Sequence, residues 1–233
     1  MLELNEELAE AIGVILGDGY FYFKRKKGGS GIVIAENSIE DKYYVKYLIN
    51  LFKKFGVAPT TYKQKGKNVI YLSIKSKRFV EELLLLGLVP GPKKNLKIPE
   101  LIKAGDSSIK SSFLRGIVDT DFCILFHKGA TRRSHTYPII STTFSNFSFI
   151  KEIKSLIEEF GIKVNIYSSI RRINNKTYPQ YDICMFGAKN LELWIKNIGF
   201  RNEKHLSKIA FWEKFGYCPP RTTIDYRIKM LKK

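Results

Sequence analysis

The chain has 233 residues, 44% of them hydrophobic, which is enough for one large domain or two small ones and excludes a disordered chain. Its formal net charge of +18 and pI near 9.7 indicate a polyanionic partner, with nucleic acid as the leading candidate. Because the chain has no run of eighteen apolar residues and starts with an acidic segment, we expect no membrane partner and no secretion. The expected location is cytoplasmic (nucleoid-associated) or organellar.

The three cysteines do not suggest a metal ribbon or a disulfide framework. Cys123, Cys184 and Cys218 form no CxxC pair, and their number is odd, so we expect reduced, buried thiols. His127 and His135 lie near Cys123 in the sequence, but they span a predicted strand and an arginine-rich loop. The sequence therefore disfavours a zinc site there.

The first half of the chain reads as helix, two strands, helix, two strands, helix. Asn5 with two following acids predicts the start of a helix that ends near Asp18, and residues 11–19 are apolar nearly all round, as in a buried helix. Alternation and turn residues then predict further elements. These are strands over 20–26 and 31–36, a helix over 39–55, a hairpin over 59–74 and a helix over 76–86.

The second half repeats this order after a connector at 93–108. The repeat consists of a helix ending near Asp121, strands over 122–127 and 137–143, a helix over 150–160, strands over 162–171 and 180–186, and a helix over 191–198. A further helix over 208–215 and a basic tail follow. A repeat spacing of about 103 to 105 residues without a low-complexity linker predicts a fused pseudo-dimer. The expected divisions are 1–92, the connector 93–108, and 109–233.

Small residues recur on one face of the two corresponding helices. Gly13 and Gly17 are one turn apart, and Gly116 and Thr120 occupy the same relative places, so the two backbones could pack closely. The carboxylates that end the helices would then meet at helix C-termini, where partial negative charge disfavours them unless a cation such as Mg²⁺ is bound. Spacing alone leaves open the alternative that these acids simply mark the ends of two buried helices.

Residues 11–19 and 114–122 resemble the motif of the LAGLIDADG homing endonucleases, present twice as in their single-chain members. Asp18 and Asp121 match the second acid of the motif, while Leu16 replaces the first acid in one copy and Phe122 replaces the closing glycine in the other. The resemblance implies an α+β fold with two pseudo-symmetric αββαββα halves. In that fold, curved antiparallel sheets form a DNA-binding saddle and the motif helices pack at its centre.

The resemblance also implies a magnesium-dependent DNA endonuclease that makes a double-strand break. Asp18 and Asp121 would bind the metal, helped by the backbone carbonyls of Gly17 and Thr120. Aligning the two halves pairs Lys93 with Lys204. These lysines are candidates for polarising the attacking water or stabilising the transition state, with simple phosphate contacts or linker charges as the alternatives. Two weaker candidates for positioning water are Glu36 and Ser141.

The expected partner is double-stranded DNA with a long target, pseudo-palindromic or asymmetric, bound by a monomer. Basic residues on predicted strands and loops would contact the duplex, although each could instead be a solvated surface charge. They are Lys24, Lys26, Lys63, Lys65, Arg132, Arg133, Lys163, Arg171 and Arg172.

Other functions on the same fold stay open from sequence. One is a noncatalytic nucleic-acid-binding protein, either a maturase that binds intron RNA or a transcription regulator. Another is the endonuclease part of an intein, which the sequence disfavours because it has neither a Cys or Ser at its start nor a His-Asn ending.

Overall fold

The computed structural model describes residues 2–25, 29–128 and 134–233, which form two compact units, 1–121 and 122–233. The first unit contains α1 (Glu6–Gly17), β1 (Gly19–Arg25), β2 (Gly29–Asn37), α2 (Lys42–Lys53), β3 (Thr60–Lys63), β4 (Val69–Ile74), α3 (Lys77–Leu85), a short 3₁₀ helix (Lys93–Asn95), α4 (Glu100–Lys103) and α5 (Ser107–Asp121). The second contains β5 (Cys123–Lys128), β6 (His135–Phe144), α6 (Phe147–Glu158), β7 (Asn165–Ile173), β8 (Lys176–Phe186), α7 (Ala188–Asn197), α8 (Glu203–Phe215) and α9 (Ile224–Leu231).

The predicted α+β fold with a repeated αββαββα order is confirmed. Each unit has an open, four-stranded antiparallel sheet, in the order β1-β2-β4-β3 in the first and β5-β6-β8-β7 in the second. The two strand orders are equivalent, as the sequence repeat requires. Within the described ranges, no helix is both long and apolar enough to cross a bilayer.

The compact units divide after Asp121, whereas the sequence repeat suggested divisions at 92/93 and 108/109. The physical reason is the packing of α5, which lies against α1 and so joins the first unit. Contacts between these two helices outweigh the position of α5 at the start of the second repeat.

Local hydrogen bonds explain where the helices begin. The Asn5 Oδ1 atom accepts a hydrogen bond from the Leu8 backbone N–H at 2.8 Å, which caps α1 as predicted. The helix predicted from residue 39 begins at Lys42 instead, because Asn37 Oδ1 accepts from the N–H groups of Ile39 and Glu40 and holds them in a turn. Similarly, Asn146 caps α6 at Phe147, three residues before its predicted start.

The C-terminal segment contains more helix than the sequence indicated. Asn202 caps α8, which begins five residues before the predicted start, and Thr223 caps α9, which was expected to be a basic tail. The α9 residue Arg227 is fully buried, and its guanidinium donates to Ser207 Oγ at 3.0 Å and to the Thr222 carbonyl. An arginine in a basic segment therefore serves as an internal anchor between α9 and α8.

Close backbone contact between α1 and α5 defines the core of the first unit. A Cβ atom on Gly13 would meet backbone atoms of Phe113 and Ile117, the latter at 2.8 Å. A Cβ atom on Gly116 would meet the backbone of Glu10 and, at 3.0 Å, that of Val14. Adding 103 to Gly13, Glu10 and Val14 gives Gly116, Phe113 and Ile117, so the two sets of contacts correspond. A local two-fold axis therefore relates the two helices.

A buried ion pair joins the same two helices. Arg115 donates to Glu10 Oε2 through Nε at 3.0 Å and Nη2 at 2.8 Å, and Tyr47 of α2 donates to Glu10 Oε1 at 2.6 Å. Only 3% of the Glu10 side chain and 13% of the Arg115 side chain are exposed. Since an isolated charge would be very costly there, each member of the pair depends on the other.

We predict that Gly13→Ala and Gly116→Ala each lower the free energy of unfolding by about 1–3 kcal/mol, because the added methyl group meets backbone that cannot rotate away. Alanine would favour an isolated helix by about 1 kcal/mol, so the sign of the change identifies the contact. Denaturant unfolding measures it. Ser107→Ala, at an exposed position of α5, is the control and should stay within about 0.5 kcal/mol. Stabilisation by either glycine substitution would contradict the close approach.

We also predict that Glu10→Ala destabilises the protein by about 3–5 kcal/mol, because it leaves the Arg115 charge buried without its carboxylate. Lys54→Ala breaks the exposed Glu7–Lys54 pair and is the matched control, with an expected loss of about 0–1 kcal/mol. Equal losses in urea unfolding of the two variants would show that the α1–α5 pair is not buried in solution.

Candidate functional site

The C-terminal ends of α1 and α5 lie side by side. The two helices run in the same direction, because Gly13 lies against residues 113–117 and Gly17, one turn later, lies against Thr120. A Cβ atom on Gly17 would be 3.0 Å from the Thr120 Cβ. Asp18 and Asp121 each follow these contacting residues directly, so both acids stand at the same end of the helix pair.

The two helix ends are not identical. α1 ends at Gly17 with Asp18 as its C-cap, whereas α5 keeps helical conformation through Asp121. Gly19 has to be small, because a Cβ atom there would lie 2.8 Å from the Ile15 Cα. Its counterpart Phe122 is buried against Phe144 instead, so the replacement in the second motif is accommodated by aromatic packing.

Lys93 supplies a cation at one of these ends. Its Nζ atom lies 3.3 Å from Asp121 Oδ1 and 3.2 Å from Asp121 Oδ2. The carboxylate is mostly buried, with 17% of its side chain exposed, while the lysine side chain is 47% exposed. Because Asp121 ends a helix with no basic residue in its last turn, the lysine offsets an unfavourable interaction with the helix dipole.

The oxygen donors at the paired ends fit a small divalent cation. Among the described residues, no three or more His, Cys, Asp and Glu side chains form a group that could hold a metal. The oxygen donors available to a cation here are the two carboxylates of Asp18 and Asp121. The backbone carbonyls of Gly17 and Thr120 directly precede them in the sequence. Such a set suits Mg²⁺ or Mn²⁺, which commonly bind one or two carboxylates and complete their shell with water and phosphate oxygens.

More acids lie beneath the same helix ends. Asp119 and Glu36 are 0% and 2% exposed, respectively, and Glu36 is on the helix-covered face of β2. Burial raises the pKa of Tyr44 well above its usual range, and the charges of Asp119, Glu36 and Glu10 raise it further. Glu36 was a weak candidate for positioning water, and the structure places its side chain in the interior of the first unit.

In the second unit, the sequence singled out Lys204, and Lys208 lies one turn later on the same helix. Lys204 lies in the first turn of α8 and is partly exposed. Lys208 Nζ donates to the Ile124 carbonyl of β5 at 2.9 Å, and burial, followed by the positive charge of Arg227, lowers the pKa of Lys208. The spacing of four residues puts both lysines on one helix face.

The predicted DNA-contacting residues of the first unit fall on different surfaces. Lys63 and Lys65 are exposed, Lys63 at the end of β3 and Lys65 in the turn that follows. In the sheet, Lys63 is opposite Ile70, and Ile70 is opposite Glu36. Lys63 therefore lies on the same, helix-covered face as Glu36. The opposite, open face carries Tyr62 and Tyr71. Lys24 lies in β1, and its side chain, like Lys26, is outside the described part.

In the second unit, Arg171 lies on the open face of the sheet. It pairs with Tyr178 in register and shares its face with Asn165, Tyr167 and Ser169. Arg172 points to the other face, and Lys163 precedes β7; both are exposed. Arg132 and Arg133 lie outside the described residues.

On the apolar side of β7, Ile170 is 70% exposed. Residues 167–173 are exposed on both faces, which indicates that this hairpin extends past the covering helices.

The cysteines and His135 of the second unit differ in their exposure. Cys123 is exposed, contrary to the expectation of buried thiols, because it begins β5 on the open face next to Ser141. Cys184 is partly exposed and Cys218 is buried. His135 Nδ1 lies 2.7 Å from the Phe126 carbonyl oxygen, at hydrogen-bonding distance across the β5–β6 pair.

Comparison with known proteins gives matches to segments of larger proteins. The chain is 27% identical over 209 residues to the replication factor C small subunit of Methanocaldococcus jannaschii, covering 89% of this chain and 10% of that protein. It is 28% identical over 214 residues to the tRNA-splicing ligase RtcB of Pyrococcus furiosus, covering 83% and 21%. The chain thus spans about a tenth to a fifth of the length of these curated relatives.

Solved structures match over most of both chains. The homing endonuclease I-DmoI superposes with a TM-score of 0.57 at 15% identity and covers 83% of this chain and 95% of its own. The homing endonuclease I-WcaI bound to its DNA recognition sequence gives a TM-score of 0.53 at 18% identity, covering 88% and 86%. I-DmoI has also been crystallised in complex with DNA and Mn.

The family described as the LAGLIDADG-like domain matches residues 108–199, which include the second motif. This match agrees with the resemblance found in the second motif, and the chain has the fold of the homing endonucleases I-DmoI and I-WcaI over more than four fifths of its length.

Proposed function

We propose that this protein is a site-specific endonuclease that hydrolyses both strands of duplex DNA with the help of a divalent cation. The observation that carries the proposal is the parallel, close packing of α1 and α5, which ends in Asp18 on one helix and Asp121 on the other. One acid at each of two helix ends related by a local two-fold axis matches the two strands of a duplex. Each acid would serve one strand.

The kind of relatives supports a nuclease over a regulator. The segment shared with this chain occurs in proteins whose names describe a replication factor subunit, a tRNA-splicing ligase, an aminotransferase, a translation initiation factor and DNA polymerases. Several of these activities are unrelated to one another, which favours a shared segment that is an independent module. A homing endonuclease is such a module, and the structural relatives I-DmoI and I-WcaI are homing endonucleases bound to DNA.

In the proposed reaction the protein places charged groups around the phosphate. A bound Mg²⁺ or Mn²⁺ would lower the pKa of a coordinated water and neutralise charge on the phosphate oxygens. Asp18 and Asp121 would hold the cation, and Lys93, beside Asp121, would place a positive charge near the reacting phosphate. Lys204 is the candidate for the same role in the second unit.

We expect Asp18→Asn and Asp121→Asn each to reduce cleavage by at least about a hundredfold, because the amide removes the charge that holds the cation. Duplex binding should persist. The measurement is cleavage of a plasmid library with randomised inserts in Mg²⁺ or Mn²⁺, read by sequencing the new ends, with binding measured in Ca²⁺.

Glu100→Gln is the matched control, because it removes one carboxylate that is 87% exposed and should leave cleavage unchanged. Full cleavage by either aspartate variant would rule out the proposed site. Specific binding without any cleavage by the unaltered protein would instead identify a noncatalytic DNA-binding protein.

Duplex binding should weaken steeply as salt increases, because a chain of net charge +18 releases counterions from the phosphates it neutralises. Arg171→Gln should reduce the slope of log K against log salt by about one, since Arg171 lies on the open face of the second sheet. Lys196→Gln on α7, which covers the other face, removes the same charge and should not change the slope. A flat salt dependence, or equal effects of the two variants, would contradict the assignment of the open face to DNA.

A further inference from the structure

The contact between Lys93 and Asp121 places a protein cation where the proposed function places a metal. The lysine ammonium lies 3.2 Å and 3.3 Å from the two carboxylate oxygens, so it contacts both atoms that a divalent ion would use. A carboxylate oxygen in a close contact with an ammonium group has less capacity left for a metal ion at the same place. The two cations therefore compete for Asp121.

We propose that Lys93 is a built-in counterion that holds Asp121 before the metal binds and is displaced by it, an inference that rests on the proposed function of the site. The helix geometry explains why a counterion is needed. Asp121 is the last residue of α5, its side chain is only 17% exposed, and the last turn of the helix has no basic residue. A bare carboxylate there would face the negative end of the helix dipole.

The attachment of Lys93 explains why displacement is easy. The lysine comes from a three-residue 3₁₀ helix in the segment between the two repeats, and 47% of its side chain is exposed. An ion pair whose cation is largely exposed to solvent contributes little to stability, so a divalent ion can replace the ammonium group at small cost. A fully buried pair such as Glu10–Arg115 could not open in this way.

The displaced lysine remains near the site on a long, flexible side chain. Its positive charge would then be available to stabilise negative charge on a substrate phosphate. Lys93 thus acts twice in this scheme, first as a counterion to the carboxylate and afterwards as a cation beside the substrate.

The test is direct titration of Mn²⁺ into the full-length protein without DNA, followed by calorimetry or by the electron paramagnetic resonance signal of free Mn²⁺. Lys93→Met should bind Mn²⁺ roughly two- to fivefold more tightly than the unaltered protein, because the competitor is gone. Lys93→Arg keeps the charge and should keep the original affinity. Lys94→Met, in the same short helix, removes an equal charge and controls for the general loss of positive potential.

Asp121→Asn separates this inference from the proposed function. If Asp121→Asn weakens Mn²⁺ binding while Lys93→Met leaves it unchanged or weaker, the metal site stands and the counterion role of Lys93 is wrong. If Asp121→Asn has no effect on Mn²⁺ binding, both the metal site and the competition are wrong. Equal tightening by Lys93→Met and Lys94→Met would also overturn the specific role, since it would reflect net charge alone.

Discussion

The structure depends on the contact between the backbones of α1 and α5. A side chain at Gly13 or Gly116 would clash with the backbone of the opposite helix, and one at Gly17 would clash with Thr120. At such a distance the helices cannot slide without steric clash, so their relative register is fixed. This register brings Asp18 and Asp121 to the same end of the pair. The position of the acids is therefore a consequence of small residues one and five positions earlier in each helix.

Charge is distributed very unevenly in the first unit. The chain is strongly basic overall, yet Glu10, Glu36 and Asp119 are almost completely buried around the two motif helices. Glu10 has the Arg115 guanidinium as a counterion, and Asp121 has the ammonium group of Lys93.

Sequence patterns predicted the repeated elements and the helix pair well, because these depend on local periodicity and on small residues at fixed spacing. Gly13, Gly17, Gly116 and Thr120 identified the contact, and Asp18 and Asp121 followed from it. The sequence did not identify the Glu10–Arg115 pair, because its members are about 105 residues apart and the pairing exists only after the helices dock. Residues that act through distant partners leave no local pattern.

Other differences have equally specific causes. Asn37 delays the start of α2 through side-chain hydrogen bonds, and the internal role of Arg227 is hidden in a basic segment. The face on which Lys63 lies depends on the register of β3 with β4, which alternation within one strand cannot supply. The hydrogen bond of Lys208 to the Ile124 carbonyl depends on the packing of α8 on β5, which the sequence of α8 alone does not give.

The Glu10–Arg115 pair breaks the local two-fold symmetry of the helices. The counterpart of Glu10 is Phe113 and the counterpart of Arg115 is Ile12, so one side of the axis is ionic and the other is apolar. Two copies of α1 docked in this geometry would set each Glu10 against an isoleucine, and two copies of α5 would set each Arg115 against a phenylalanine. Self-association of either helix would thus trap an uncompensated charge, and the repeats have become obligate, non-interchangeable partners.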